Sequence, residues 1–333
     1  EPLAVSGVSH FLEHMLFKGT ERWGVGEIER AIEAVGGVTN AATSYDYTHY
    51  YVTLPSTAIA RAIGLLVEMV RAATIDEREL EKERLVILEE YRRKQDHPTG
   101  VLYETLYQRA FAEGRYARTV IGTEETIRAI DRPAMVDYYC GRYTPDNMVL
   151  IVAGDFRPRE AIDAAETATA GFTTRALPSP SGRGRYGTGS RLHVEKPTGG
   201  ELYVTFAFPA PGWDAPEKIM PISFAQCLLG QGRAARLYQA LKERDGLCSS
   251  IGVSYPTHRS DSLLVIVASC LPGQLDALRE GVVRELREFL REGIARDDEQ
   301  RARRLLAGAH RFSLETSGSV ASQLGYAWAT AGN

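Results

Sequence analysis

This chain of 333 residues lacks long apolar runs, a large excess of one charge and paired cysteines. Without a run of about 18 apolar residues, no membrane-spanning helix is predicted. Lys and Arg total 39 against 43 Asp and Glu, so the net charge of −4 gives no electrostatic attraction to nucleic acid. The four cysteines form no CxxC pair and are widely spaced, which predicts free thiols rather than a disulfide framework.

The first residues, EPLAVSGVSH, contain neither the basic nor the apolar segment of a secretory signal. They lead directly into the most informative motif of the chain, so we expect that residues of the natural protein precede them. The compartment is therefore left open. Abundant Arg, Ala and Gly hint at a bacterial source, for which cytoplasm and periplasm both fit.

What the chain does contain is a mixture of helix and strand periodicity that occurs twice, which predicts an α+β fold in two homologous domains. Residues 177–190 are rich in proline, glycine and serine, as is typical of a linker. We predict a first domain at 1–178, whose N-terminal strands are expected to be missing. The second domain, at 190–333, has no counterpart of the motif at residues 10–14 and could be incomplete at its C-terminal end.

Strand signals are strongest after two helices predicted at 8–18 and 25–35. Residues 38–55 are rich in Thr, Tyr and Val and partly alternate, which predicts two strands joined by a turn near Ser44–Tyr47. The apolar run NMVLIVA predicts a buried strand at 147–153. Strands of the second half are predicted at 191–197, 201–208, 248–256 and 261–269.

The segment His10-Phe11-Leu12-Glu13-His14 carries the chemistry. On a helix, two histidines four residues apart lie on one face, a spacing that suits two ligands of one zinc ion. Glu13 lies beside them, where it could deprotonate a metal-bound water. Such a site needs a third protein ligand, and the pattern alone also fits a solvated helix face.

A long charged helix predicted at 76–96 offers that ligand. Stepping about 100° per residue places Glu83 and Glu90 inside its apolar stripe, two turns apart. Burying an unpaired carboxylate is costly, so such acids meet a metal, a cation or strong hydrogen-bond donors. From the pattern alone, a metal ligand and an ion pair with Lys or Arg both stay open.

The segments that carry these residues are GVSHFLEHMLFKGT, GGVTNAATSYDYTHYYVTLP and ERLVILEEYRRKQDHP, and later come VIGTEETIRAI, YTPDNMVLIVAGDF and LLGQGRAARLYQALKERDGL. Together they resemble the inverzincin peptidases, the family of pitrilysin, insulin-degrading enzyme and mitochondrial processing peptidase. The resemblance covers nearly the whole chain. It implies a zinc-dependent endopeptidase that cleaves peptides or small unfolded proteins.

The resemblance also implies roles for individual residues. Zinc (Zn²⁺) would be bound by His10, His14 and Glu90, and Glu83 would match an additional acid that supports the ligands. Glu13 would take a proton from zinc-bound water as it attacks the scissile carbonyl and pass it to the leaving amine.

A strand of small and polar residues follows the motif. The resemblance implies that the edge of Val38–Ser44 pairs with an extended substrate, and Asn40 and Ala41 are the expected substrate contacts. An ordinary edge strand is the alternative.

The second half departs from the family. Active members carry an arginine and a tyrosine seven residues apart, where this chain has Lys242 and Ser249. We therefore expect a homologous partner subunit that supplies the Arg/Tyr pair in a heterodimer. A homodimer that uses Lys242 and Ser249 is the simpler alternative. A non-catalytic structural or binding subunit of the same fold is the competing function.

Overall fold

The computed structural model describes residues 1–177, 185–187 and 200–332. The strand predicted at 191–197 and most of the predicted linker lie outside the described residues. All four cysteines are free thiols, as predicted. Among the described residues, no helix combines the length and the apolar character that a membrane crossing requires.

Helices dominate the chain and strands occur in small antiparallel groups. The helices are α1 Val8–Met15, α2 Glu27–Glu33, α3 Ile59–Arg71, α4 Glu77–Asp96, α5 Pro98–Ala110, α6 Glu124–Ala129, α7 Arg132–Arg142, α8 Pro158–Thr169, α9 Pro216–Gly230, α10 Leu275–Glu292, α11 Arg296–Phe312 and α12 Ser317–Ala331, with a π-helical segment at Tyr238–Arg244. The strands are β1 Val38–Thr43, β2 Thr48–Thr53, β3 Phe111–Glu113, β4 Arg185–Tyr186, β5 Leu202–Ala210, β6 Ser250–Ser254 and β7 Ser262–Cys270. The predicted α+β class is confirmed.

The chain forms two compact units that are discontinuous in sequence. The first comprises Glu1–Lys94, Arg118–Gly182 and Thr316–Asn333, and the second comprises Gln95–Ala117 and Arg183–Glu315. The predicted homologous domains, 1–178 and 190–333, stay a prediction because compactness does not test homology.

The first unit is built around the motif helix α1. Four of its side chains are fully buried in the core, Val8, Phe11, Leu12 and Met15. The helix begins after Gly7, whose φ is 92° and whose position leaves no room for a side chain, since a Cβ would meet Ile121 O at 2.4 Å. The backbone thus approaches the 121–122 segment closely and fixes where α1 starts.

A β-hairpin lies beside α1. β1 pairs with β2 in an antiparallel register that sets Ala41 opposite Tyr50 and Thr43 opposite Thr48. Ser44 N donates to Tyr47 O at 2.8 Å and closes the turn. The strand pair predicted within 38–55 is confirmed.

Helix α4 begins at a well-defined cap. Asp76 Oδ1 accepts hydrogen bonds from the backbone N–H groups of Arg78 and Glu79 at 2.9 and 3.1 Å. Acidic residues follow in the first turn, and Arg93 and Lys94 lie in the last, which complements the helix dipole.

The second unit holds a three-stranded antiparallel sheet in the order β5-β7-β6. β7 is central and largely buried, and α10 and the π-helical segment contribute to the same core. The strands predicted at 201–208, 248–256 and 261–269 are confirmed.

The buried strand predicted at 147–153 is wrong. Residues 148–153 carry no strand, and Val149 and Leu150 are 44% and 37% exposed. Met148 has an extended backbone, but the run finds no ladder partner among the described residues. The apolar run therefore predicted a strand pairing that the described residues do not show.

Candidate metal centre

Helix α1 presents the two motif histidines side by side. Their ring centroids lie 4.8 Å apart in an edge-to-face arrangement. The side chain of His10 is 12% exposed and that of His14 is 22% exposed. Both imidazoles are thus held at the edge of the core, where an open position can face solvent.

Helix α4 brings Glu90 to both rings. Glu90 Oε1 lies 3.6 Å from His10 Nε2, and Oε2 lies 3.6 Å from His14 Nε2. This separation is too long for a hydrogen bond. Two ligands about 2.1 Å from one tetrahedral ion, however, lie about 3.4 Å apart. The ligand atoms of the three residues all lie within 4.8 Å of one another, so the donor set fits a divalent metal such as zinc.

The electrostatics favour an ionised Glu90. The adjacent His10 imidazole lowers the pKa of Glu90 more than burial raises it, and the charge of Lys94 lowers it further. A cavity of about 260 Å³ opens at this point and is lined by His10, Thr43, Glu90, Lys94, Val120 and Ile121. The candidate ligands therefore border a space that could admit a substrate group.

Glu83 lies two turns before Glu90 on α4 and makes different contacts. Its Oε1 accepts a hydrogen bond from His14 Nδ1 at 2.8 Å, and its Oε2 lies 2.6 Å from Lys18 Nζ. Burial raises the pKa of Glu83, but the hydrogen bonds from His14 and Lys18 outweigh burial and lower it below its usual value. With Nδ1–H donated to Glu83, His14 keeps its Nε2 lone pair for a metal.

Glu13 is buried, with 9% of the residue exposed. Thr43 Oγ1, at the end of β1, donates a hydrogen bond to Glu13 Oε2 at 2.5 Å. The hydroxyls of Tyr50 and Tyr143 lie nearby, 2.8 Å from each other. Burial, reinforced by the neighbouring Tyr143, raises the pKa of Tyr50 well above its usual value. The Tyr50 hydroxyl therefore stays protonated.

The predicted substrate contacts lie on opposite faces of β1. Asn40 is exposed, whereas Ala41 belongs to the partly buried row that also contains Thr39 and Thr43. Asn40 Oδ1 accepts a hydrogen bond from Ala41 N at 2.9 Å. Among the described residues β1 pairs only with β2, so its other edge has no strand partner there.

Lys242 and Ser249 both belong to the second unit. The Lys242 ammonium lies 5.0 Å from the centroid of the Tyr238 ring, a cation–π contact. The Ser249 hydroxyl donates to Glu201 at 2.5 Å and contacts Ser269 Oγ at 2.7 Å. Both side chains are thus engaged within their own unit.

Two family models together cover most of the chain. The model of Insulinase (Peptidase family M16) matches residues 1–124, and that of the Peptidase M16 inactive domain matches residues 129–306. The chain belongs to peptidase family M16. The family predicted from the sequence is therefore confirmed.

M16 relatives match over nearly the full chain. An uncharacterized zinc protease of Mycobacterium leprae is 30% identical over 330 residues, which are 98% of this chain and 74% of the relative. An uncharacterized zinc protease of Bacillus subtilis is 27% identical and covers 96% of this chain and 78% of its own length.

Solved structures agree in fold. A protease from Helicobacter pylori superimposes with a TM-score of 0.93 at 23% identity, over 99% of this chain and 80% of that one. A chain in complex III from Candida albicans gives a TM-score of 0.84 at 15% identity, over 100% of this chain and 78% of that chain. At these identities the likeness concerns the fold alone.

Sequence reasoning singled out neither Lys18 nor Thr43. Lys18 lies beyond the end of α1 and reaches Glu83 on another helix, so no local spacing identifies it. Thr43 shares its strand face with Ala41, but only the packing of β1 against α1 shows that its hydroxyl reaches Glu13.

Proposed function

We propose that this M16 chain is a zinc-dependent endopeptidase that hydrolyses peptides or small unfolded proteins, with zinc held by His10, His14 and Glu90. The observation that carries the proposal is the convergence of two imidazole nitrogens and a carboxylate within 4.8 Å. A nitrogen, nitrogen and oxygen donor set with one open position is typical of catalytic zinc sites. The names of the relatives as zinc proteases support the same metal.

When bound, zinc would supply a Lewis acid that polarises the scissile carbonyl and makes a water molecule more acidic. The chain's own residues prepare that site. Glu83 holds the ring of His14 through Nδ1, and Lys18 in turn pairs with Glu83. The pKa of Glu90 is lowered by the adjacent His10, which favours its ionised form.

Glu13 is the general base of the proposed mechanism. Its Oε2 is held by Thr43, which leaves Oε1 to take a proton from the attacking water and to return it to the leaving amine. Its burial beside the core restricts its motion, which keeps the carboxylate close to the reacting atoms.

The substrate binds as an added strand on the open edge of β1. Backbone hydrogen bonds along that edge give affinity without demanding a particular sequence. Asn40 and Ala41 are the proposed contacts, one on each face of the strand. The small side chain of Ala41 permits a close approach of the substrate backbone.

A homologous partner completes the site in this proposal. Lys242 cannot form the bidentate contacts of an arginine, and the Ser249 hydroxyl is taken up by Glu201 and Ser269. We expect weak turnover by the isolated chain and a large gain on mixing with a homologous chain that carries the Arg/Tyr pair. Equal turnover with and without that chain would favour the homodimer instead.

A non-catalytic subunit of the same fold is the second candidate. It is favoured by the match of residues 129–306 to the inactive-domain model and by the fold likeness to a chain of complex III. A scaffold, however, needs neither Glu13 nor a converging ligand set.

The variant Glu13→Gln separates the two functions. We expect it to keep one zinc per chain and to lose about 100-fold or more in kcat, because the carboxylate that accepts the proton is gone. The matched control is Glu33→Gln on α2, an exposed acid outside the site. Peptide hydrolysis that survives in Glu13→Gln would reject Glu13 as the base. No hydrolysis by the wild type in the presence of its partner would favour the non-catalytic subunit.

A further inference from the structure

Two threonine hydroxyls form a short chain behind the proposed base. Thr43 Oγ1 donates to Glu13 Oε2 at 2.5 Å, and Thr48 Oγ1 lies 3.1 Å from Thr43 Oγ1. Thr43 ends β1, Thr48 begins β2, and the two residues are direct partners in the hairpin register. The hairpin therefore carries both hydroxyls as one unit.

Counting protons fixes the direction of these bonds. A threonine hydroxyl has a single proton but two lone pairs. Since Thr43 gives its proton to Glu13 Oε2, it can only accept from Thr48. The order is thus Thr48 to Thr43 to Glu13, and the charge-assisted bond at its end is the strong one.

We propose that Thr43, supported by Thr48, is the positioning residue for Glu13; this inference rests on the proposed function. It holds one carboxylate oxygen so that the other stays directed at the attacking water. When Glu13 has taken the proton on Oε1, its Oε2 still accepts the hydrogen bond from Thr43. The same contacts thus hold the base in both of its protonation states.

The position of Thr43 also links the base to the proposed substrate strand. Thr43 and Ala41 lie in the same partly buried row of β1. A peptide paired with the open edge of β1 is therefore registered on the same rigid element that anchors Glu13. Misplacing a catalytic group by about 1 Å can cost about 100-fold in rate, so this shared anchor matters for kcat.

The test compares Thr43→Val, which removes the hydroxyl at nearly constant volume, with Thr43→Ser, which keeps it. We expect Thr43→Val to lose about 10- to 100-fold in kcat, with KM and the zinc dissociation constant within about twofold of the wild type. Thr43→Ser should recover most of the lost rate. The control is Thr167→Val on α8, an exposed position where the hydroxyl donates to the backbone oxygen of Asp163 at 2.7 Å.

Thr48→Val provides a second variant that does not touch Glu13 directly. We expect it to lose about 3- to 10-fold in kcat, and the double variant with Thr43→Val to be no worse than Thr43→Val alone, since both act through one bond. Thr43→Ser as slow as Thr43→Val, or a loss confined to KM, would overturn the inference.

The proposed function and this inference fail in different ways. If the wild type with its partner cleaves no peptide, the proposed function fails. If the wild type cleaves, Glu13→Gln does not, and Thr43→Val matches the wild type, only the positioning role of Thr43 fails.

Discussion

At the residue scale, two glutamates of one helix acquire different roles from their neighbours. Glu90 has 41% of its side chain exposed and faces two imidazoles, whereas Glu83 has 8% exposed and is held by Lys18 and His14. Burial raises the pKa of Glu83, but the hydrogen bonds from His14 and Lys18 and the charge of Lys18 lower it below its usual value. The charge in turn fixes the tautomer of His14.

We therefore predict that Lys18→Met weakens zinc binding about 10- to 100-fold, as is typical when an outer partner of a metal ligand is lost. The measurement is competition with a chromophoric chelator. Lys18→Arg should retain most of the affinity. Lys82→Met is the control, since Lys82 also pairs with a glutamate at 2.6 Å but is 71% exposed. Unchanged zinc affinity in Lys18→Met would contradict this role.

The sequence predicted the candidate metal ligands but not the contacts that surround them. The spacing of His10 and His14 and the place of Glu90 in an apolar stripe are local periodic signals. The contacts of Lys18 with Glu83 and of Thr43 with Glu13 join residues 65 and 30 positions apart. Such contacts depend on how elements pack, so no local pattern predicts them.

At the element scale, the same contrast separates the hairpin from the 147–153 segment. β1 and β2 are adjacent in sequence, so alternation and a tight turn were enough to predict their pairing. Residues 147–153 needed a distant partner strand, about which an apolar run says nothing. Helices α6 and α12 give weak sequence signals, because α6 has only six residues and α12 is rich in small residues with weak periodicity.

The open edge of β1 leads to a prediction about substrates. In an added strand, only alternate backbone N–H groups face the neighbouring strand. N-methylation of a peptide at a position that pairs with β1 should raise KM about tenfold, whereas methylation of the next residue should have little effect. Steady-state kinetics on a methyl scan measures this. A scan without alternation would contradict binding by strand addition.

At the scale of the whole molecule, the two compact units could not be predicted from the sequence. Residues 95–117 belong to the second unit and 316–333 to the first. Composition and periodicity show where elements begin and end but not which unit each joins. The second unit also contains a cluster of ion pairs that makes the stability of the fold depend on pH.

Acidic side chains in that cluster have lowered pKa values. The hydrogen bond from Arg244 outweighs burial and lowers the pKa of Asp245 to about 2. Burial raises the pKa of Glu285, but Arg244, Arg236 and Arg284 outweigh burial and lower it. Because these pKa values are lower in the folded state, their stabilisation is complete above about pH 4.5 and is lost as the pH falls toward about 2. Thermal unfolding between pH 7 and 2.5 should show the Tm decline in this window, and a constant Tm would contradict it.

Glu285 provides a variant for this effect, since only 2% of the residue is exposed. Glu285→Gln should lower the free energy of unfolding by about 2 kcal/mol at pH 7, because three arginines lose their shared buried partner. Its Tm should also decline less with acid than that of the wild type. Glu280→Gln, an exposed acid on the same helix, should change stability by less than about 0.5 kcal/mol.

The zinc content of two neighbouring glutamate variants tests the central claim most directly. Glu90 faces His10 and His14, whereas Glu89 is 61% exposed and lies 3.6 Å from Arg92. We predict one zinc per chain, measured by mass spectrometry of the metal, in the wild type and in Glu89→Gln, and less than about one tenth of that in Glu90→Gln at equal chelator concentration. Full zinc occupancy in Glu90→Gln, or none in the wild type, would contradict the assignment of His10, His14 and Glu90 as the zinc site.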